Sequence, residues 1–296
     1  MANILLTGST GFLGSHLLNK LVLNNNSITC LKRESSNLWR VKKLISKVTW
    51  ADIESTDFHE LLVEKKIDYI IHCATDYGRK QVNPIETIEA NLVLPLRLLH
   101  ASTGTNVSAF INTDTILDKR INHYSLSKSQ FVDWLRYYSN DYIVVNLAIE
   151  HFYGAHDDVS KFASFMISEL INNEKKEIDL TEGLQKRDFI HISDVTEAFF
   201  ILINSLRSLK KNFYHFEVGT NELISIRNFV TLVKKLCNNN NTTLNFGALP
   251  YRDNEVMSTN VDTSFLRSLG WESKFTLEKG LKETINVEKK SKISID

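Results

Sequence analysis

Ala2-Asn3-Ile4-Leu5-Leu6-Thr7-Gly8-Ser9-Thr10-Gly11-Phe12-Leu13-Gly14 stands near the start of the chain, and within it the residue pattern changes twice. The run Ile4-Leu5-Leu6 has the character of a buried parallel strand. Gly8, Gly11 and Gly14 follow, each separated from the next by two residues, and behind them Phe12, Leu13, Leu17, Leu18 and Leu21 recur at helical intervals. The glycines therefore occupy the turn between the carboxyl end of a strand and the amino end of a helix. A helix start offers unsatisfied N–H groups and partial positive charge, and residues without a Cβ let the backbone close on a ligand, so such a turn suits a diphosphate. A tight turn with no ligand gives the same spacing; the strand before it and the helix after it favour dinucleotide binding.

Composition fits an enzyme. The 296 residues, 43% of them hydrophobic, can bury a large core as one α/β domain or as a domain with an appended lobe. Thirty-five basic residues balance thirty-five acidic ones, which gives no overall attraction to nucleic acid or to an anionic membrane. The first apolar run is too short for a signal peptide and lacks its basic flank, and no later run is long enough to cross a bilayer. Cys30, Cys73 and Cys237 are widely spaced and odd in number, which suits a reducing cytosol better than disulfides or a metal site. A cytoplasmic location without a metal is the resulting expectation.

Strand and helix patterns alternate through the first half. Ile28–Leu31, Val48–Ala51, Tyr69–Cys73, Ala109–Asn112 and Tyr142–Leu147 read as strands, with helices over Ile85–Ala101 and Ser125–Tyr138. This alternation predicts a doubly wound parallel Rossmann sheet with right-handed crossovers. From about Gly154 the rhythm loosens: Lys161–Asn173 and Ser193–Ser205 read as helices, Glu177–Leu180 as a strand, and the stretch from Tyr214 as small elements covering the carboxyl edge of the sheet. The expected fold is α/β, with a dinucleotide-binding Rossmann domain over 1–153 and a smaller α/β lobe over 154–296, some of whose segments return to the sheet. Asn238–Asn241 reads as a loop, and the polar tail from Lys289 as a frayed end.

Tyr124-Ser125-Leu126-Ser127-Lys128 opens the second of the early helices. Tyr124 and Lys128 stand four residues apart and share one face. An ammonium beside a phenol favours the phenolate and brings its acidity toward neutrality, where the group exchanges protons usefully. A surface helix with an ordinary tyrosine and lysine is the plain alternative, and the dinucleotide turn upstream favours catalysis. Just ahead, Phe110-Ile111-Asn112-Thr113-Asp114-Thr115 runs from a strand into hydroxyl residues, at the end of a parallel sheet where active sites form. A threonine hydroxyl there can bond the carbonyl oxygen that Tyr124 protonates. Thr115 is the first choice and Thr113 the second, with the register open between them.

In this order, these parts resemble the extended short-chain dehydrogenase/reductase family over nearly the whole chain. The glycine turn, Asp52-Ile53, Ile71-His72-Cys73-Ala74, Asn91, the Tyr124/Lys128 pair, Phe152-Tyr153-Gly154, Arg187-Asp188-Phe189-Ile190 and Arg252 all fall where that family has counterparts. Within its nucleotide-sugar branch, Asn112–Thr115, Glu150–Ala155, Leu180–Phe189 and Tyr77-Gly78-Arg79 look like the CDP-abequose and CDP-paratose synthases, bacterial reductases of O-antigen synthesis. The resemblance implies Tyr124 as general acid, Lys128 as the group that steadies the cofactor ribose and lowers the phenol's pKa, and Thr115 as the hydroxyl on the sugar carbonyl. It places the cofactor against Gly8, Thr10, Gly11, Phe12, Leu13, Gly14, Arg33, Asp52, Ile53, Ala74 and Asn91 as well as Tyr124 and Lys128. Substrate contacts fall to Arg79, Thr113, Thr115, His151, Lys161, Arg187 and Arg252, the last two arginines clamping the sugar nucleotide's diphosphate. His72, His151 and His191 read as packing or polar-support residues, with His151 able to touch substrate.

NAD-specific members carry an acidic residue at the end of the second strand, where this chain has Leu31-Lys32-Arg33-Glu34-Ser35-Ser36. Arg33, helped by Lys32 or Ser35, attracts a 2′-phosphate, so NADPH is expected, with NADH the alternative because of Glu34. A reductase must release oxidised cofactor at each turnover, which agrees with NADPH. Dehydratases carry an Asp-Glu pair after the active threonine; here Thr113 is followed by Asp114 and Thr115, and Thr115 by Ile116 and Leu117, so either register lacks the pair. The expected reaction is NADPH-dependent reduction of the 4-keto group of a nucleotide-linked deoxysugar, CDP-4-dehydro-3,6-dideoxyglucose above others. A 4-epimerase with bound NAD is the alternative, and a non-catalytic dinucleotide sensor the remote one. The family implies a homodimer through the helices bearing Asn91 and Tyr124, although Leu92, Leu96 and Leu99 suit a monomer's core equally.

Overall fold

The structure, a computed structural model, describes residues 1–79, 83–253 and 255–293. In chain order its strands are β1 (Asn3–Thr7), β2 (Ser27–Lys32), β3 (Thr49–Asp52), β4 (Tyr69–His72), β5 (Ala109–Thr115), β6 (Ile143–Ile149), β7 (His151–Tyr153), β8 (Glu177–Leu180), β9 (Lys186–His191), β10 (Asn212–Val218), β11 (Leu223–Ser225) and β12 (Thr243–Phe246). The helices are α1 (Phe12–Leu23), α2 (Phe58–Glu64), α3 (Pro84–Ile88), α4 (Leu94–Ala101), α5 (His123–Tyr138), α6 (Phe162–Asn172), α7 (Ile192–Ser205), α8 (Ile226–Cys237), α9 (Ser264–Ser268) and α10 (Leu277–Ile293). Residues 1–149, 196–218 and 264–271 form one compact unit; residues 150–195, 219–263 and those from 272 onward form a second.

The first unit holds a seven-stranded sheet in the order β10-β6-β5-β4-β1-β2-β3, parallel throughout. Its strands read as continuous apolar runs because helices cover both faces. Ile4, Leu5, Leu6, Ile70, Ile71, Phe110, Ile111, Val144 and Val145 are all fully buried. One core joins Leu5, Leu31, Phe58, Leu62, Leu98, Leu99, Phe131 and Leu135, with Leu92 and Leu96 packed at its margin. Each fully buried side chain of this size contributes about 1.5–3 kcal/mol before entropy is counted. Strand order reverses between β1 and β4, so the glycine turn lies where doubly wound sheets open a crevice for ligands.

The second unit contains the three-stranded sheet β11-β9-β7 and the pair β12-β8. Met166, Ile167 and Leu170 of α6 pack with Phe229, Val230 and Val233 of α8 and with Leu281 and Ile285 of α10. The Phe189 and Phe229 rings stack at 3.9 Å.

Three expectations change. The stretch around Tyr214 is not a cover for the sheet: β10 is its seventh strand, running parallel to β6 from Asn212 opposite Ile143 to Val218 opposite Ile149. As an edge strand carrying His215 and Glu217 it shows only a broken apolar pattern. The helix over Ile85–Ala101 widens into a π-helical turn at Glu89–Val93. Pro95 explains this, because it has no N–H to offer the Asn91 carbonyl and its ring crowds that carbonyl. The tail does not fray at Lys289: α10 continues to Ile293, and the Lys289 ammonium donates to the Cys237 carbonyl at 3.2 Å. Among the described residues, no helix is long and apolar enough to cross a membrane, and no cluster of potential metal ligands forms.

Candidate active site

The glycine turn is set by steric exclusion. Gly8 has φ +69, and a Cβ there would stand 2.5 Å from the Ala74 nitrogen at the end of β4. A Cβ on Gly14 would stand 2.1 Å from the Gly8 carbonyl oxygen. Gly11 donates its N–H to the Gly8 carbonyl at 2.9 Å and occupies the N-cap of α1 without any side-chain cap. A short, uncapped turn leading into a twelve-residue helix fits a dinucleotide diphosphate. Thr10 lies half-buried beside it, Phe12 and Leu13 are buried, and Arg33 is exposed at the end of β2. The Arg33–Ser36 turn closes through mutual bonds of 3.0 Å. Asp52 pairs with Lys32 across β3 and β2 and its carboxylate accepts the Glu54 N–H at 2.8 Å. Ile53 packs on the core. The Ala74 N–H donates to the Thr7 hydroxyl at 3.1 Å. Burial pushes the Cys30 thiol up to about 12 against a hydrogen bond with Ser9.

Beyond β5 the arrangement is polar rather than steric. Asn122 caps α5 by accepting the Ser125 N–H at 2.8 Å, which fixes the helix start that carries Tyr124 and Lys128. Hydrogen bonding by the Thr115 hydroxyl favours the ionised form of the Tyr124 phenol. The Thr113 hydroxyl donates to the His72 carbonyl at 2.9 Å, and the Thr115 hydroxyl accepts the Leu117 N–H at 3.2 Å. Lys128 is 1% exposed and its ammonium donates to the Thr113 carbonyl at 2.9 Å. Burial lowers its pKa to about 8, with Asp114 and Cys73 pulling upward and Lys119 downward.

The phenol itself is held well above its ordinary value, first by burial, then by Tyr77 and Asp114; Thr115 and Arg79 act the other way. Among the charges acting on the phenol, the Arg79 guanidinium favours the phenolate. Tyr77, whose role the sequence left open, packs its ring 5.0 Å from that of Tyr124, and the Arg79 guanidinium lies 5.0 Å over Tyr77.

Asn91 is bonded on all sides within the protein. It is fully buried; its oxygen accepts the Thr75 hydroxyl at 3.1 Å and the Asp76 N–H at 2.8 Å, and its amide donates to the Asp76 carbonyl at 2.8 Å and the Ser127 hydroxyl at 3.1 Å. With each polar group engaged, Asn91 braces the segment after β4 against α5, and the π turn of Glu89–Val93 contains it. His72, kept neutral by burial and then by the charge of Lys128, contacts the Thr7 hydroxyl at 2.8 Å.

In the second unit, Arg187 is tied to Glu255 at 2.5 Å and to the Val256 carbonyl at 2.6 Å. The guanidinium expected to clamp a diphosphate is thereby engaged within its own unit. Asp188 beside it is a buried brace, accepting the Thr220 hydroxyl at 2.6 Å and the Thr220 and Asn221 N–H groups at 2.7 Å. Arg252 is exposed, and its carbonyl accepts the Glu255 N–H at 3.1 Å. Lys161 pairs with Asp157 at 3.0 Å and lies 4.4 Å over the Phe152 ring. His151 bonds buried Glu150 through Nδ1 at 2.8 Å; burial raises the pKa of this carboxyl, but the His151 bond and charge outweigh it and leave it lowered. His191 stacks on Phe275 at 4.2 Å.

A doubly wound sheet with a glycine turn after β1, and a phenol and lysine four residues apart after β5, defines an enzyme of the short-chain dehydrogenase/reductase type. Residues 4–219 match the NAD dependent epimerase/dehydratase family, and the chain belongs to that family. A CDP-abequose synthase of Salmonella muenchen is 36% identical, with 96% of this chain and 97% of that protein covered. A UDP-glucose 4-epimerase of Thermotoga maritima, solved with UDP-glucose, is 22% identical at a TM-score of 0.85, covering 98% of this chain and 99% of that one. A UDP-glucuronic acid 4-epimerase of Bacillus cereus, solved with UDP-glucuronic acid and NAD, is 20% identical at a TM-score of 0.83 with the same coverage. The chain is thus an NAD(P)-dependent enzyme of nucleotide-sugar chemistry.

Proposed function

We propose that the chain reduces the 4-keto group of a CDP-linked 3,6-dideoxy sugar with NADPH, the product being CDP-abequose or its 4-epimer CDP-paratose. The observation that carries this reading is the meeting of α5 with the end of β5: Lys128, one helical turn after Tyr124, donates to the Thr113 carbonyl at 2.9 Å, while the neighbouring carboxylate, Asp114, is bonded to Lys119 and Asn146. A ketone reduction needs a hydroxyl to orient the carbonyl and a phenol to protonate it. Elimination of water would need an additional free acid and base, and Ile116 and Leu117 follow Thr115 instead. The similarity to a CDP-abequose synthase supports the choice of sugar nucleotide.

NADPH, when bound along the glycine turn, supplies hydride. Tyr124 delivers its proton to the carbonyl oxygen, Thr115 holds that oxygen in line, and Lys128 meets the ribose. Arg33 takes the 2′-phosphate as a forked, permanently charged donor. Arg252 and, after release from Glu255, Arg187 receive the substrate's diphosphate.

The test is incubation with NADPH and a panel of CDP-, dTDP- and GDP-linked 4-keto sugars, the product stereochemistry being read by NMR. Tyr124→Phe is expected to bind NADPH normally and to lose about 10²–10⁴-fold in turnover; full activity in that variant refutes the assignment. Interconversion of sugars without net cofactor consumption indicates an epimerase instead. Arg33→Ala is expected to weaken NADPH about tenfold and leave NADH unchanged in fluorescence titrations.

A further inference from the structure

Asp114 and Lys119 form a charged pair beside the phenol that the reaction above does not use. The Asp114 side chain is 1% exposed and that of Lys119 36%. One carboxylate oxygen accepts from the Lys119 ammonium at 2.8 Å, the other from the Asn146 amide at 3.0 Å. Asn146 in turn accepts from Asn112 at 2.8 Å and contacts His215 at 3.1 Å. This polar ladder crosses β5, β6 and β10. The Lys119 ammonium also donates to the Thr115 carbonyl at 2.5 Å, so one cation grips both the carboxylate and the last residue of β5.

A buried carboxylate near a phenol disfavours the phenolate, which makes the phenol a poorer proton donor. The groups that act on the Tyr124 phenol are Asp114 from β5, Tyr77 and Arg79 from the segment after β4, and the Thr115 hydroxyl, with the Tyr77 ring 5.0 Å away. Lys128, on the same helix, faces Asp114, Cys73 and Lys119. Of these cations, Lys119 is bonded directly to the carboxylate.

We propose that Lys119 is a positioning residue for proton delivery: it balances the Asp114 charge beside the phenol and holds the end of β5 so that the Thr115 hydroxyl stays against Tyr124. This rests on Tyr124 being the proton donor. The balance also gives buried Asp114 a use, since a neutral residue there would leave Lys119 uncompensated beside Lys128.

The test reads the ionisation of Tyr124 directly, in protein without cofactor. Tyrosines are replaced biosynthetically by a more acidic fluorotyrosine, and fluorine NMR follows the resonance that disappears in Tyr124→Phe. Lys119→Gln is expected to raise the midpoint by about one pH unit and Asp114→Asn to lower it by about as much, each a tenfold change in phenolate fraction. The double variant is expected to return close to the parent, and Lys119→Arg to stay there. In turnover, the alkaline limb of kcat is expected to move with the midpoint. Unmoved midpoints in both single variants, or shifts of the same sign, overturn the proposal, because a merely structural role lowers activity without moving the titration. Should Asp114→Asn fail to fold, the Gln and Arg variants at Lys119 decide alone: equal midpoints reject the charge balance. An active Tyr124→Phe variant sinks the proton-donor reading, whereas an inactive one with an unmoved titration sinks only this inference.

Discussion

The glycine turn and the end of β5 belong to the same unit and reach their shapes by opposite means. At the turn, what matters is the matter left out: side chains at Gly8 or Gly14 would overlap backbone atoms at 2.5 and 2.1 Å. At β5, what matters is what has been brought in: Asn112, Asn146 and Asp114 meet side chain to side chain in the interior, with partly exposed Lys119 bonded to Asp114 at its edge. Exclusion tolerates no change of size, whereas a polar ladder tolerates change of size better than change of bonding capacity. Low dielectric makes each missing partner there costly.

The sharpest break of this contrast is expected at the turn. Gly14→Val puts branched carbon into the Gly8 carbonyl and should cost more than about 4 kcal/mol, seen as loss of folded protein in thermal denaturation. Gly11→Ala, whose Cβ meets only the Gly8 oxygen at 3.2 Å, should spare the fold while weakening dinucleotide binding. A Gly14→Val protein that melts like the parent would mean the turn opens more easily than its contacts suggest.

At the polar end, Lys128 provides the next effect, and its sign can be worked out. Its pKa falls from 10.5 to about 8 in the folded state, so below about 8 both folded and unfolded chains carry the proton and the buried charge weighs against folding. Between about 8 and 10.5 the folded chain releases the proton first, and stability rises with pH. The unfolding free energy of the parent, relative to Lys128→Met, is therefore expected to climb by up to about 3 kcal/mol across that window in denaturant titrations. A flat difference would show that the ammonium is better solvated than its burial implies. Asn146→Leu should cost about 2 kcal/mol by stripping partners from Asp114 and Asn112, and less when Asp114→Asn is already present. Additive costs in that cycle would dissolve the ladder as a unit.

The same contrast governs what could be read from the chain. The glycine turn lies in one short stretch, and the Tyr124/Lys128 spacing needs only one helical turn, so both are local patterns. The bond from the Thr113 hydroxyl to the His72 carbonyl, reaching across to β4, joins residues far apart in sequence and lies beyond any local pattern. The ladder depends on strand register that brings Asn146 opposite Asn112 and His215 opposite Asn146, residues far apart in sequence. The bracing bonds of Asn91 to Asp76 and Ser127 depend on the π turn that Pro95 imposes, which no local pattern announces. Glu255 hides in a polar stretch with no periodicity, so nothing foretold its hold on Arg187.

The seventh strand carries a consequence for biogenesis. When residues 1–149 have left the ribosome, β6 still lacks the neighbour that will satisfy its outer edge, because β10 is made only after the chain has laid down much of the second unit. An unpaired parallel edge invites association with other chains. Order of synthesis and order across the sheet thus diverge in this protein, and a nascent chain stalled between Ile149 and Asn212 would leave that edge of β6 open.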